Sequence, residues 1–247
     1  MGSIEAFPRK RAANLADVWK TAPLRGSGVV KVRAARLEDY AAIRGLLRAA
    51  HPDVPPWTLK QFESRRAAFP EGQAVAECDG EVIGASGALV IHASGAALDG
   101  TWSDVTADGS FATHDLRGDT LYAAGTCVDS TRRGYGAARA LREAQRKLCR
   151  RLNLRRIVAT VALDGCAHGD ASMSPQLYAR RVIWGDIEDA ALSFELAQGY
   201  QYCGILEDYF PARDGARGHA ALMVWLNSMY SPARPPAFET ARPRKCA

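Results

Sequence analysis

Residues 129–141 read DSTRRGYGAARAL, and this run constrains the fold more than any other. Gly134 and Gly136 follow the strand-forming residues 121–128. They precede a segment in which Leu141, Ala144, Leu148 and Leu152 recur at helical spacing. The sequence therefore predicts a strand that turns through glycines straight into a helix. Glycines there let the backbone approach a ligand closely, while the free N–H groups and dipole of the helix start favour an anion, above all a phosphate. The turn is not a nucleotide loop of the Gly-Lys-Ser/Thr kind. Nor is it the dinucleotide fingerprint, because Arg139 stands at its last position.

Around this turn the periodicities predict a mixed α/β (α+β) domain. A strand over 29–33 comes first, then a helix over 37–50 with Ile43, Leu46 and Leu47 on one face, ended by Pro52, Pro55 and Pro56. Thr58 can cap a second helix that runs to Ala68. Residues 74–78 and 81–92 read as a hairpin turning at Asp79-Gly80. A strand over 156–161 completes a crossover with 121–128, which is right-handed in nearly every known case. Gly199 stops a helix over 187–198, and strands over 200–210 and 219–226 follow. Residues 94–120 and 163–185 lack periodicity and are expected to be two long loop inserts. The expected organisation is an extension over 1–28, partly flexible, a domain over 29–228, and a disordered Pro- and Arg-rich tail over 229–247.

Composition excludes several classes. No apolar run reaches the ~18 residues that span a bilayer, and the first residues lack a secretory apolar stretch. Six cysteines fall with no ligand spacing, so reduced thiols, no disulfide framework, no metal and a cytoplasmic location are expected. The net charge of +5 resides in the two ends, each +3, and the middle of the chain carries −1. Basic ends of this kind read as solvated, so a nucleic-acid partner is not expected.

The run VDSTRRGYGAA resembles the acetyl-CoA signature Arg/Gln-x-x-Gly-x-Gly/Ala of the GCN5-related N-acetyltransferases (GNAT), with Arg133, Gly136 and Ala138 in the specified positions. The resemblance extends over about residues 30–228 and includes Gly199-Tyr200, where that family commonly has Gly-Phe. It implies the GNAT fold, with a mixed central sheet of about seven strands flanked by helices. It further implies acetyl-CoA as co-substrate, with its pyrophosphate on the backbone of Arg133, Gly134, Tyr135, Gly136, Ala137 and Ala138. Cys127 and Val128 would pair with the pantetheine arm and acetyl carbonyl.

The implied activity is acetyl transfer to the amine of a small molecule by direct attack. Longer-chain acyl transfer and a non-catalytic acyl-CoA-binding regulatory module remain alternatives, and a homodimer stays open. An alkylamine of pKa ~10.4 is about one part in a thousand neutral near pH 7.4, so deprotonation costs roughly 4 kcal/mol. A base for the amine and an acid for the thiolate are therefore sought. The family's frequent tyrosine acid is replaced by Glu195, and its frequent asparagine seven residues earlier by Glu188. Glu195 acts as acid only if burial raises its pKa; the competing expectation is that it faces solvent or an arginine. Tyr178 and Tyr122 are other candidate donors, and His168 a candidate base. The first insert carries Trp102, His114 and Asp115 among five aspartates, which suits a cationic acceptor. Both inserts are expected to form the acceptor pocket.

Overall fold

The computed structural model describes residues 29–93, 100–132, 134–168, 173–213 and 216–234. Seven strands form one sheet in the order β1-β2-β3-β4-β5-β7-β6. β1 (Lys31–Ala34), β2 (Gln73–Cys78), β3 (Glu81–Ile91) and β4 (Thr120–Val128) form an antiparallel half. β5 (Arg156–Ala162) runs parallel to β4, and β7 (Ala216–Leu226) joins it antiparallel, with β6 (Gln201–Arg213) outside. The hairpin β2–β3 turns where expected, with Asp79 at φ 51° and Gly80 at φ 84°. That left-handed pair is the turn whose twist matches the strands it joins.

Helices α1 (Tyr40–Ala50) and α2 (Leu59–Ala68) follow β1. A single 3-10 turn, Leu37–Asp39, starts the first of them, and Arg33 bonds both oxygens of Asp39 at 2.6 and 2.8 Å. Thr58 caps α2 as predicted, in a box with Gln61. Helix α4 (Ala137–Arg151) is the crossover between the parallel strands. Its Ala140, Leu141, Ala144 and Leu148 are all buried, and they lie against the sheet beside Val32, Ala76, Ile83 and Val90.

Neither insert is loop alone. The first holds the short helix α3 (Trp102–Thr106), capped by Thr101 with Asp104 in a capping box. The second holds α5 (Asp164–His168) and α6 (Pro175–Trp184), the latter capped by Ser174 with Pro175 in its first turn. Tyr178, Ala179 and Val182 supply its buried stripe. These caps outweighed weak periodicity in short helices. α7 (Ala190–Ala197) starts at Asp189 rather than near 187, because the Asp189 carboxylate accepts the Leu192 N–H at 2.8 Å.

Past the last strand, Asn153 in the α4–β5 connection donates to the Ser231 and Arg234 carbonyls at 2.8 and 2.6 Å. The segment expected to be a disordered tail from 229 thus has defined partners as far as Arg234; 1–28 and 235–247 lie outside the described residues. No helix among the described residues is long and apolar enough to cross a membrane.

The Leu141 side chain stands 3.3 Å from where a Cβ on Gly84 of β3 would project. Leu141→Ala should therefore open a cavity against the sheet and lower stability by about 2–5 kcal/mol in urea unfolding. A loss below about 1 kcal/mol would contradict this packing.

Candidate active site

Strands β4 and β5 pair only from Thr120↔Arg156 to Ala123↔Ala159. Beyond that point β4 continues on β3 and β5 continues on β7, so the two part. A bulge sits at the point of parting, where the β3–β4 register jumps from Ala88↔Ala123 to Gly87↔Gly125 and leaves Ala124 extra. The Asp129 N–H donates to the Ile83 carbonyl at 2.9 Å. Antiparallel alternation then commits the backbones of Cys127 and Gly125 to β3, and turns those of Thr126 and Val128 toward the notch. A Cβ on Gly125 would meet nothing within 4 Å. Glycine inside a strand at a bulge, with open space beside it, marks a place where a ligand can come close.

The notch leads into the glycine turn. Gly134 and Gly136 both have positive φ, 91° and 80°. Open space surrounds the Cβ position of Gly134, so backbone conformation rather than packing calls for glycine there. Gly136 is the N-cap of α4 and contributes no side-chain cap. The first N–H groups of the helix, at Ala137, Ala138 and Arg139, are thereby left for an anion. Tyr135 and Val128 pack against the same cluster as Ala137, which fixes the turn to the sheet. Arg133 lies outside the described residues.

At the foot of the notch three hydroxyls meet. Tyr122 of β4 lies 3.0 Å from Thr160 of β5 and 2.8 Å from Tyr209 of β6. Burial pushes the Tyr122 phenol up to about 12 and raises that of Tyr209 further, so both stay protonated. Trp102 adds a wall: its Nε1 donates to the Ala124 carbonyl at 3.0 Å. Ser86 and Thr126, opposite each other in the register, carry buried hydroxyls with no partner among the described residues. Among the same residues no group of three His, Cys, Asp or Glu side chains is placed to hold a metal ion.

Several sequence candidates lie elsewhere. Cys127 turns its thiol into the cluster of Ile43, Phe62 and Val75, and burial raises the thiol to about 12. Its backbone is committed to β3, so Thr126, beside Val128, turns its backbone toward the notch and Cys127 does not. Glu195 is buried and receives the Arg142 guanidinium at 3.0 and 3.1 Å, so the arginine expectation holds and the carboxylate stays an acceptor. Tyr178 donates to Asp189 at 2.9 Å, and burial together with that carboxylate raises its pKa. It pins α6 to the start of α7 rather than serving as a free donor.

His114 accepts the Val90 N–H at 3.0 Å through Nδ1 and stacks on Phe69, ring centroids 4.4 Å apart. Burial lowers its pKa, so the ring is neutral with its proton on Nε2. Asp115 lies 3.2 Å from His92 and accepts the Arg117 N–H at 2.9 Å. Both stand beside the stretch where β4 and β5 are still paired, away from the notch. His168 ends α5, its side chain outside what is described, and so is all of 169–172. The first insert therefore brings only Trp102 of its three candidates to the notch.

Sequence reasoning missed Thr160, Tyr209 and Arg65. The last is wholly buried at the heart of α2. Its spacing from Phe62 and Phe69 places it on the apolar face, a signal hidden by its charge.

No family model matches the chain. It is 31% identical over 201 residues to the "Probable hydrolase YhcX" of Bacillus subtilis (strain 168), covering 81% of this chain. The chain spans only 39% of that relative's length. It is 27% identical over 212 residues to the "Uncharacterized N-acetyltransferase YkwB" of the same organism, covering 82% of this chain and 93% of the relative. Among solved structures, the GphF GNAT-like decarboxylase in complex with isobutyryl-CoA superposes with a TM-score of 0.65 at 21% identity, over 79% of this chain and 98% of that one. The loading GNATL domain of CurA from Lyngbya majuscula gives 0.69 at 16%, over 80% and 98%. The shared fold is the GNAT fold.

The Arg142–Glu195 pair is buried on both sides. Glu195→Ala should strand the guanidinium and cost about 3–5 kcal/mol in urea unfolding. Combining Arg142→Met with Glu195→Gln leaves no charge unpaired and should recover part of that loss. If Glu195→Ala left stability within about 1 kcal/mol of wild type, the pair would not be a structural element.

Proposed function

We propose that this chain, a member of the GCN5-related N-acetyltransferase superfamily, moves an acetyl group from acetyl-CoA to the amine of a small molecule by direct attack on the thioester. What carries the reading is one observation: a strand notch, whose Thr126 and Val128 backbone groups have no partner among the described residues, runs into an uncapped helix start through two left-handed glycines. The catalytic unit is residues 29–228. The N–H groups of the turn and of the first helical residues hold the pyrophosphate. Thr126 and Val128 pair with the pantetheine arm through their backbones, and an N–H in this stretch faces the carbonyl oxygen as negative charge develops on it.

The acceptor enters from the side of Trp102. It must be neutral to attack, and Glu195 and Tyr178 are engaged elsewhere, so its proton leaves to water at the mouth of the notch. The linked hydroxyls of Tyr122, Thr160 and Tyr209 are neutral donors at the closed end, suited to hydrogen-bonding the departing thiolate, which takes its proton from water.

The same three hydroxyls favour a second reading, loss of CO2 from a carboxyacyl-CoA, which needs a proton donor and no base. The C–C bond to the carboxylate breaks, its electron pair passes into the thioester as an enolate, and a hydroxyl gives its proton to the α-carbon and is reprotonated from water. GphF, described as a GNAT-like decarboxylase, gives this reading its precedent in the same fold.

A thiol-release assay with acetyl-CoA and a panel of amines tests the first reading, and CO2 release from malonyl-CoA the second. Gly136→Asp places a side chain and a negative charge at the pyrophosphate, and should weaken CoA binding at least 100-fold, about 2.7 kcal/mol, by calorimetry. Near-wild-type affinity in that variant would refute the phosphate role of the turn.

A further inference from the structure

Arg65 of α2 is 0% exposed and has no acidic partner among the described residues. Its Nε donates to the Gly109 carbonyl, while Nη1 and Nη2 have no hydrogen-bond partner among the described residues. The guanidinium lies between two aromatic faces, 3.6 Å from the Trp57 ring centroid and 4.4 Å from that of Phe111. The Nη1–Nη2 edge is buried as well, and it is the part of the ion that the Gly109 carbonyl does not reach. Stacking of this kind offsets part of the desolvation of a cation, but it satisfies none of its N–H donors. Burial alone pulls the group down to about 9, since nothing anionic supports its charge.

Its position connects it to the notch. A Cβ on Gly109 would stand 2.6 Å from Nη2 of Arg65 and 3.1 Å from Cη2 of Trp102. The same indole reaches the bulge, because its Nε1 bonds the Ala124 carbonyl. Trp102 is partly exposed, and its indole spans from the Gly109 turn, beside the buried Nη2 of Arg65, to the bulge of β4. The cover over Arg65 is the turn at Ala107, Asp108, Gly109 and Phe111, all with positive φ between 47° and 76°. α2 holds that turn through Gln61 on the Asp108 carbonyl at 2.7 Å and Ser64 on the Ser110 carbonyl at 2.9 Å.

We propose that Arg65 is a carboxylate anchor at the acyl end of the notch, its Nη1–Nη2 edge receiving the carboxylate of a bound substrate past the Trp102 ring. A planar fork whose two Nη groups have no partner among the described residues matches the two oxygens of a carboxylate, and a water-excluded setting strengthens the pair. The inference rests on an acyl-CoA occupying the notch. The carboxylate comes from one of two sources, a carboxyacyl group on the thioester or the carboxylate of an amino-acid acceptor.

Two arms of one experiment separate them. Dissociation constants for malonyl-CoA, acetyl-CoA and free CoA are measured by calorimetry on the full chain, wild type and Arg65→Met. KM values for alanine and ethylamine are then compared at saturating acetyl-CoA. A source on the acyl group gives malonyl-CoA at least tenfold tighter binding than acetyl-CoA in wild type, a preference that falls below threefold in Arg65→Met. A source on the acceptor gives the same pattern in the KM ratio of the two amines instead. Arg65→Lys keeps the charge without the fork and should retain only part of either preference, which covers the case of a Met variant that does not fold.

A carboxylate preference that survives in Arg65→Met, or its absence from both arms in wild type, overturns the proposal. Absence of free-CoA binding in wild type instead overturns the reading on which it rests. Ligand-dependent thermal unfolding adds a further check. Malonyl-CoA at saturation should raise the Tm of wild type more than acetyl-CoA does if the acyl group carries the carboxylate, and the difference should shrink in Arg65→Lys.

Discussion

The parting of β4 from β5 after Ala123↔Ala159 is the constraint on which the site depends. A sheet gains by pairing every N–H and C=O, and a buried group left unpaired costs about 1–3 kcal/mol. This chain forgoes that pairing along the last stretch of β4. Each strand is held to its other neighbour, β4 to β3 by the register through Gly84↔Val128 and β5 to β7 through Ala162↔Ala220. The bulge at Ala124 turns β4 aside, and Trp102 satisfies the carbonyl that the bulge exposes. The hydroxyls of Tyr122, Thr160 and Tyr209 knit the closed end, so the opening begins at a fixed place. Backbone groups without partners are the feature that a ligand with its own amides can complete.

Charge inside the fold follows two different rules. Arg142 and Glu195 form a buried pair between α4 and α7, and Gln145 takes a further N–H of Arg142 at 2.7 Å. Such a pair is neutral as a unit and holds its helices in register. Arg65 has no acidic partner among the described residues and is held by the Gly109 carbonyl and two aromatic rings.

The framework was legible because its signals are local. Asp79-Gly80 dictates a tight hairpin, Thr58 with Gln61 a helix start, Gly199 at φ 81° a helix stop, and the glycine turn a strand-to-helix junction. The inserts were legible only as interruptions. Their helices are five to ten residues long, too short for periodicity to stand out, although Thr101 with Asp104 and Ser174-Pro175 carry the caps that start two of them. The chemistry was harder to read because it arises from contacts across the sheet. Tyr122 and Tyr209 are 87 positions apart, and Glu195 finds Arg142 53 positions away. No spacing within one element announces such a meeting. Composition invited an acidic acceptor loop, yet His114 and Asp115 satisfy their partners beside Val90 and His92.

The most direct test of the account is amide hydrogen exchange with and without CoA. Occupation of the notch and turn should slow exchange at Thr126, Val128 and Gly134 to Arg139 by at least tenfold, with β1, α1 and the β6–β7 hairpin unchanged. Protection spread evenly over the chain, or confined to other segments while CoA is bound, would contradict the placement of the cofactor between the parted strands.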